Sequence, residues 1–208
     1  MKMRWFLLVC GVSVAVALFG GSASSQTVVT FDDLSGPRLI FGIPQGYQGL
    51  NWTNFDCINA VLDASINGLA GDYYGMMTPS NVAFNADGLP SEIDSAGTNF
   101  SFLSAYVTGV WNSNLNIEVQ GYRDTNLIYD ETVVASATNP TLFTFNYLDI
   151  DRLYFNSFGG QPAGFGGGAG NNFVMDNMTF EFIPEPSSLL LTSLGLLSLW
   201  AVAKRRRR

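Results

Sequence analysis

The stretch Leu115-Asn116-Ile117-Glu118-Val119-Gln120 decides the fold class. Apolar and polar residues alternate strictly, so one set of side chains faces a core and the other faces water, the period-two signature of a half-buried strand. A helix would need apolar residues three and four apart. Outward from this hexapeptide the same pattern returns at Phe100 and Phe102, with Tyr106 further along, and at Phe143 and Phe145. Further strands are expected over 28–33, 38–43, 50–55, 81–84, 127–134, 153–156 and 173–182. Between them no segment sustains helical periodicity over three turns. Asn67-Gly68 and Asp87-Gly88 supply the residue types that tight turns need. Roughly eight to ten short strands separated by turn signals predict an all-β chain, an antiparallel β-sandwich of the jelly-roll type. The body that carries them, residues 26–183, is large enough to bury a core without disulfides.

Charge is segregated along the 208 residues. Seven of the ten basic residues sit at the ends, at Lys2, Arg4, Lys204, Arg205, Arg206, Arg207 and Arg208. In the body only Arg38, Arg123 and Arg152 are basic, against 16 carboxylates, a net charge of −13. Such a surface repels phosphate backbones, which argues against a nucleic-acid partner. The chain has no histidine, and this excludes Ser-His-Asp and Cys-His catalysis and every His-ligated zinc site.

Both ends read as targeting segments. At the N-terminus Lys2 and Arg4 precede an uncharged apolar run from Trp5 to Phe19, and small residues follow in Gly20-Gly21-Ser22-Ala23-Ser24-Ser25. This is the pattern of a secretory signal peptide over residues 1–25, with cleavage expected after Ala23 or Ser25. Cys10 lies inside the apolar run rather than after it, so a lipoprotein signal is not indicated. Removal of the signal leaves Cys57 as the lone cysteine, expected to be a buried small hydrophobe. At the C-terminus an uncharged stretch over 187–203 follows Pro184-Glu185-Pro186 and precedes Lys204 and the four arginines. Its length suits a short membrane-spanning helix, and the cationic cluster is expected to stay cytoplasmic, leaving the body outside.

Pro184, Glu185 and Pro186, the Leu-rich stretch, and the run Arg205, Arg206, Arg207 and Arg208, in that order over 184–208, resemble the PEP-CTERM sorting signal of Gram-negative bacteria that make exopolysaccharide. The resemblance implies recognition by exosortase, a membrane transpeptidase-like protease, removal of the helix near the Pro-Glu-Pro motif, and transfer or release of the body. The opening Phe31-Asp32-Asp33-Leu34, the stretch Gly49-Leu50-Asn51-Trp52 and the closing Phe173-Val174-Met175-Asp176-Asn177 also look like secreted proteins that carry this tail. The likeness implies a destination in the envelope or extracellular matrix and no particular activity.

Candidate sites in the body are few. The glycine-rich run from Gly159 to Gly170 lacks a following Lys-Ser/Thr and helix, so it reads as a flexible surface loop rather than a phosphate cradle. Trp52 and Trp111, with Tyr47, Tyr73, Tyr74 and Tyr122, are aromatics able to stack on sugar rings, of which one or two are expected at the surface. Asp149/Asp151 and Asp130/Glu131 are the carboxylate pairs that a glycosidase would require, although sequence spacing does not set their separation. Asp33 continues the parity of Val29 and Phe31, and Asp176 shares that of Val174, Met178, Phe180 and Phe182, so both are expected on core-facing sides. A carboxylate there needs a partner: an arginine, backbone N–H groups, or a structural Ca²⁺ gathered by Asp32, Asp33 and Asp176 where the first and last strands meet. The function expected is that of an exported non-catalytic sandwich, structural or glycan-associated in the exopolysaccharide matrix. The alternatives are a secreted carboxylate-dependent glycan hydrolase and a protein that stays anchored in the membrane.

Overall fold

The computed structural model describes residues 25–183 apart from Ala96 and Gly167, together with Gly195, Trp200 and Lys204. The expected signal peptide up to Ser24 lies outside the described residues. So do the sorting residues Pro184, Glu185, Pro186, Arg205, Arg206, Arg207 and Arg208, with most of the apolar stretch between them. Among the described residues no helix is long and apolar enough to cross a membrane.

In chain order the elements are β1 (Thr27–Val29), β2 (Ile40–Gly42), β3 (Leu50–Thr53), β4 (Phe55–Asn59), α1 (Ala60–Asn67), α2 (Gly71–Gly75), β5 (Asn81–Asn85), β6 (Ser91–Ser95), β7 (Phe100–Gly109) and β8 (Asn112–Ser113). There follow β9 (Leu115–Arg123), β10 (Asn126–Ala135), β11 (Thr141–Ile150), β12 (Arg152–Phe158), β13 (Gln161–Pro162) and β14 (Phe173–Phe182). They build two large antiparallel sheets. The first has the order β11-β7-β14-β5-β4-β2, with β1 paired to β14; the second is β10-β9-β12-β6-β3; β13 and β8 form a separate pair. The chain alternates between layers: β5, β7, β11 and β14 lie in the first sheet, and β6, β9, β10 and β12 in the second. The expected antiparallel sandwich is therefore present, and the first and last strands do run together.

The core between the layers is aromatic. Phe31 meets Trp52 edge-on at 5.6 Å, Trp52 meets Phe55 at 5.7 Å, and Phe55 meets Phe155 at 5.6 Å, so a chain of T-shaped contacts crosses from one sheet to the other. Cys57 is buried and unpaired as expected, and burial, reinforced by Asp32, Asp56 and Asp33, pushes its thiol up to about 12.

The two sheets differ in their outer faces. In the second, alternation holds in β9 and β12: Leu115, Ile117, Val119, Leu153 and Phe155 are buried while their neighbours are partly exposed. In the first, buried residues run consecutively, through Asn81-Val82-Ala83 and through Phe173-Val174-Met175-Asp176. Strands covered on both faces lose the alternation. The cover is α1 and α2, which close a small second core of Ile58, Ala60, Ala70, Val82, Val110 and Val174. Helical periodicity over three turns does not detect α1, because that helix is only eight residues long. The Asn59 side chain caps its start, accepting from the Leu62 amide at 2.9 Å. Asn67-Gly68 ends this helix rather than turning a hairpin. Asp87-Gly88 does turn, carrying the chain from β5 to β6 across the sandwich.

Parity inside β14 also departs from expectation. Met175 and Met178 both join the inter-sheet core, because Asn177 adopts φ 48 and the register against β7 shifts between Asp176 and Thr179. Such a bulge adds one residue and exchanges the faces. Asp176 therefore shares the outer side of the sheet with Val174, and the chain above buries it there.

Trp52 sits at the centre of the aromatic chain with 2% exposure. Replacement by alanine is expected to cost about 3–5 kcal/mol, read from the midpoint and slope of denaturant unfolding. A loss below about 1 kcal/mol would show that the contacts around Trp52 do not hold the layers together.

Candidate functional site

Alternation in β3, β6, β9 and β12 puts their polar set on one outward face of the second sheet, and α1 and α2 lie against strands of the first sheet instead. Register aligns this face into rows. Thr53, Glu92, Tyr154, Gln120 and Asp130 cross the five strands in one row, and Asn51, Asp94, Arg152 and Tyr122 form the next. Beyond them lie Asn156, Glu118 and Thr132. The side chains bond along and across the strands. The Tyr122 hydroxyl donates to Gln120 Oε1 at 2.6 Å, Gln120 Nε2 donates to Glu118 Oε1 at 3.3 Å, and Asn156 Nδ2 donates to Glu118 Oε2 at 3.3 Å. Arg152 lies 4.2 Å over the Tyr122 ring and 3.9 Å from Glu92. The result is a preordered surface of amide, carboxylate and phenol groups flanked by ring faces. It offers donors, acceptors and flat apolar area to a neutral polyhydroxylated ligand.

The aromatic candidates sort unevenly. Trp52 is not a surface platform: it points inward from β3, its neighbour Asn51 points outward, and its Nε1 donates to the Tyr47 carbonyl at 3.1 Å. Trp111 is half-buried at the end of β7, away from the polar face, and the glycine-rich run lies against it. A Cβ added to Gly168 would fall 2.6 Å from the indole, so only glycine lets the backbone approach that ring. The same run pairs β13 with β8 and stacks Phe165 on Tyr74 at 5.7 Å. Tyr122 does reach the open face. Tyr154, absent from the sequence candidates, stands beside it there; its alternation with Leu153 and Phe155 is the available signal.

Among the acids expected to face the core, Asp33 is exposed. Phe31 adopts φ 63 and breaks the strand, so Asp33 turns outward and accepts from the Tyr47 hydroxyl at 2.6 Å. Asp176 is fully buried and accepts backbone N–H bonds from Met77 at 2.7 Å, Thr78 at 3.1 Å and Asn177 at 2.7 Å. Asp32 Oδ1 accepts from the Asn81 amide at 2.9 Å, and its charge reaches Asp176. Burial raises the Asp176 carboxyl above the usual range despite those three donors. Asp32 and Asp176 thus fasten residues 77–81 onto the meeting of the first and last strands, while Asp33 belongs to another contact. Among the described residues no three Asp, Glu, Cys or His side chains gather around one point.

The carboxylate pairs are either engaged elsewhere or divergent. Asp149 is held by Arg123 at 2.6 Å and by Asn99 at 2.7 Å, and Asp151 accepts from the Asp124 amide at 2.5 Å. Asp130 and Glu131 are consecutive on β10 and project to opposite sides.

A second feature shares only Trp111 with the sequence candidates. A cleft of about 700 Å³ opens beside the helices, lined by Asp63, Asp72, Asp87, Trp111, Asn172 and apolar residues including Ile58 and Val174. Asp63 and Asp72 are 8% and 3% exposed. Asn67 Nδ2 donates to Asp63 Oδ1 at 2.8 Å. Neither oxygen of Asp72 has a well-formed hydrogen bond. Its own amide and that of Tyr73 lie near enough to favour the charge, but burial and the neighbouring Asp63 outweigh them and raise the Asp72 carboxyl to about 6.

No protein-family model matches the chain, and no curated protein matches it. A solved DUF4465 family protein from Bacteroides caccae ATCC 43185 is similar over 75% of this chain and 98% of its own, at 12% identity and a TM-score of 0.51. Another from Bacteroides ovatus ATCC 8483 covers 77% of this chain and 100% of its own, at 11% identity and 0.45. TmCBM61 in complex with β-1,4-galactotriose covers 68% and 95%, at 9% identity and 0.32. The likeness to the Bacteroides caccae protein shows a shared β-sandwich fold.

Asp72 makes stability depend on pH with a definite sign. Its carboxyl releases a proton near 4 when unfolded and near 6 when folded, so the folded state binds more protons in between. In metal-free buffer, its contribution is therefore fully present below about pH 4 and lost as pH rises to about 6. Asp72→Asn is expected to remove that decline and to be more stable than the parent at pH 7 by on the order of 1–3 kcal/mol. Chemical denaturation at pH 4, 5, 6 and 7 tests this, and parallel curves for parent and variant would refute it.

Proposed function

We propose that the protein is an exported, non-catalytic jelly-roll module that associates with envelope or matrix polysaccharide through the outer face of its second sheet. The alternation of β5, β7, β11 and β14 with β6, β9, β10 and β12 supports the jelly-roll reading. One observation carries the glycan reading: the polar face bearing Tyr154 and Tyr122 in register with Gln120, Glu118 and Asn156, while α1 and α2 cover the opposite sheet. The hydrolase alternative draws no support from the carboxylate pairs. Asp149 is tied to Arg123, and Asp130 and Glu131 diverge, whereas glycosidic cleavage needs two carboxyls flanking one bond.

By its resemblance to a PEP-CTERM signal, the tail over 184–208 gives this module its route. The N-terminal signal delivers the body outward, the apolar stretch holds it in the membrane, and exosortase acts near Pro184-Glu185-Pro186. The cluster of Arg205, Arg206, Arg207 and Arg208 anchors the cytoplasmic side while the protease works.

Retention on immobilised exopolysaccharide of the producing cell tests the glycan reading. Tyr154→Ala and Gln120→Ala are each expected to weaken retention at least about tenfold, a loss of about 1.4 kcal/mol, without lowering the unfolding midpoint much. Undiminished retention in both variants would remove the face as the site. No retention of the parent on any envelope polysaccharide would leave a purely structural role.

Intact mass spectrometry of the protein recovered from producing cells tests the route. The expected mass lacks both the signal peptide and the segment beyond the Pro-Glu-Pro region. Neutral replacement of Arg205, Arg206, Arg207 and Arg208 together is expected to leave the tail unprocessed, and normal processing of that variant would sink the sorting account.

A further inference from the structure

The cleft beside α1 and α2 poses a physical problem that the glycan reading does not use. Asp63 and Asp72 come from different helices, both are more than nine-tenths buried, and their carboxyls act directly on each other. Two ionised carboxylates in that position repel through a medium that screens poorly. Asn67 relieves one oxygen of Asp63, while both oxygens of Asp72 remain without a well-formed bond. Asp87 lines the same cleft, and its lining includes no arginine or lysine among the described residues. Loose packing does not explain the juxtaposition. The Gly71 amide donates to the Val110 carbonyl at 2.9 Å, and a Cβ on Gly71 would lie 1.8 Å from the Gly109 carbonyl oxygen. The backbone of α2 is therefore pressed onto the end of β7, and Asp72 is fixed by that contact.

We propose that Asp63 and Asp72 bind a hard divalent cation, calcium in preference, in the cleft beside the two helices. Calcium takes six to eight oxygen ligands with flexible geometry and accepts carboxylates, carbonyls and water together. Two buried carboxylates supply the charge, and the open side of the cleft admits water to complete the shell. Magnesium, which requires near-octahedral geometry and gives up water reluctantly, suits a site with only two fixed carboxylates less well. The cation would neutralise the pair, join α1 to α2 and lock the cover over the second core. This site is separate from the acids gathered near the first and last strands, and it stands independently of the glycan reading.

The test contains no glycan. Full-length protein stripped with chelator is titrated calorimetrically with CaCl₂, and its thermal midpoint is compared in millimolar Ca²⁺ and in chelator. The expected result is one saturable site per chain and a higher midpoint with calcium. Asp63→Asn and Asp72→Asn, which keep the side-chain shape, are each expected to weaken binding at least tenfold and to abolish the calcium-dependent shift. Terbium in place of calcium adds a positional readout. Its emission, sensitised through indole, is expected to fall in Trp111→Phe, which lines the cleft, while that variant keeps its calcium heat. No saturable heat in the parent would mean that the pair holds a proton instead of a metal, and would overturn the site. Binding and a midpoint shift that survive in both Asn variants, or terbium emission indifferent to Trp111, would place the cation elsewhere and overturn it equally.

Discussion

The first sheet carries apolar residues on both of its faces, and that surface must leave water for the sandwich to exist. One face closes against the second sheet around Trp52, Phe55, Phe155 and Phe173. The other needs a separate cover, which the chain supplies by inserting α1 and α2 between β4 and β5. Burial of apolar area at about 25 cal/mol per Å² rewards this arrangement. Its cost falls on the polar groups caught beneath the cover. Asp176 is met by three backbone amides, whereas Asp72 is left facing Asp63.

That asymmetry divides the molecule chemically. Among the described residues no helix covers the second sheet, whose outer face carries hydrogen-bonding side chains in rows, amides and phenols interleaved with carboxylates and Arg152, where exposure keeps their bonds exchangeable with those of a ligand. The covered side concentrates negative charge under low screening, where a cation or a proton is the natural complement. A body with three arginines and 16 carboxylates has few cations of its own to place there. Two of those arginines are committed elsewhere, Arg123 to Asp149 and Arg152 to Tyr122 and Glu92.

The residues that fasten the cover also explain why the chain ends meet. Asp32 follows β1, Asp176 lies in β14, and both accept from backbone amides within 77–81, while Asn81 Nδ2 reaches the carbonyls of Phe31 and Leu34 at 3.1 and 2.9 Å. First strand, last strand and the connection after α2 are thereby tied into one polar junction beside the aromatic core.

Period-two alternation by itself determined the sandwich, because the pleat of a strand puts successive side chains on opposite faces whatever they later touch. It marked β9, the apolar-rich segment 173–182 was legible at the full length of β14, and the lone Cys57 of the body and the charge deficit were equally plain. The tertiary structure alone decided what breaks or modifies that period. Positive φ at Phe31 and Asn177 turned Asp33 outward and moved Asp176 to the other face, a choice made by register against neighbouring strands. Inward packing claimed Trp52, and the settling of α1 and α2 on the other sheet left Tyr154 half-exposed among the described residues. The meeting of Asp63 and Asp72 could not be read at all. It depends on where two short helices settle on a sheet, and that position is fixed by close contact with residues about forty positions away, at Gly109 and Val110.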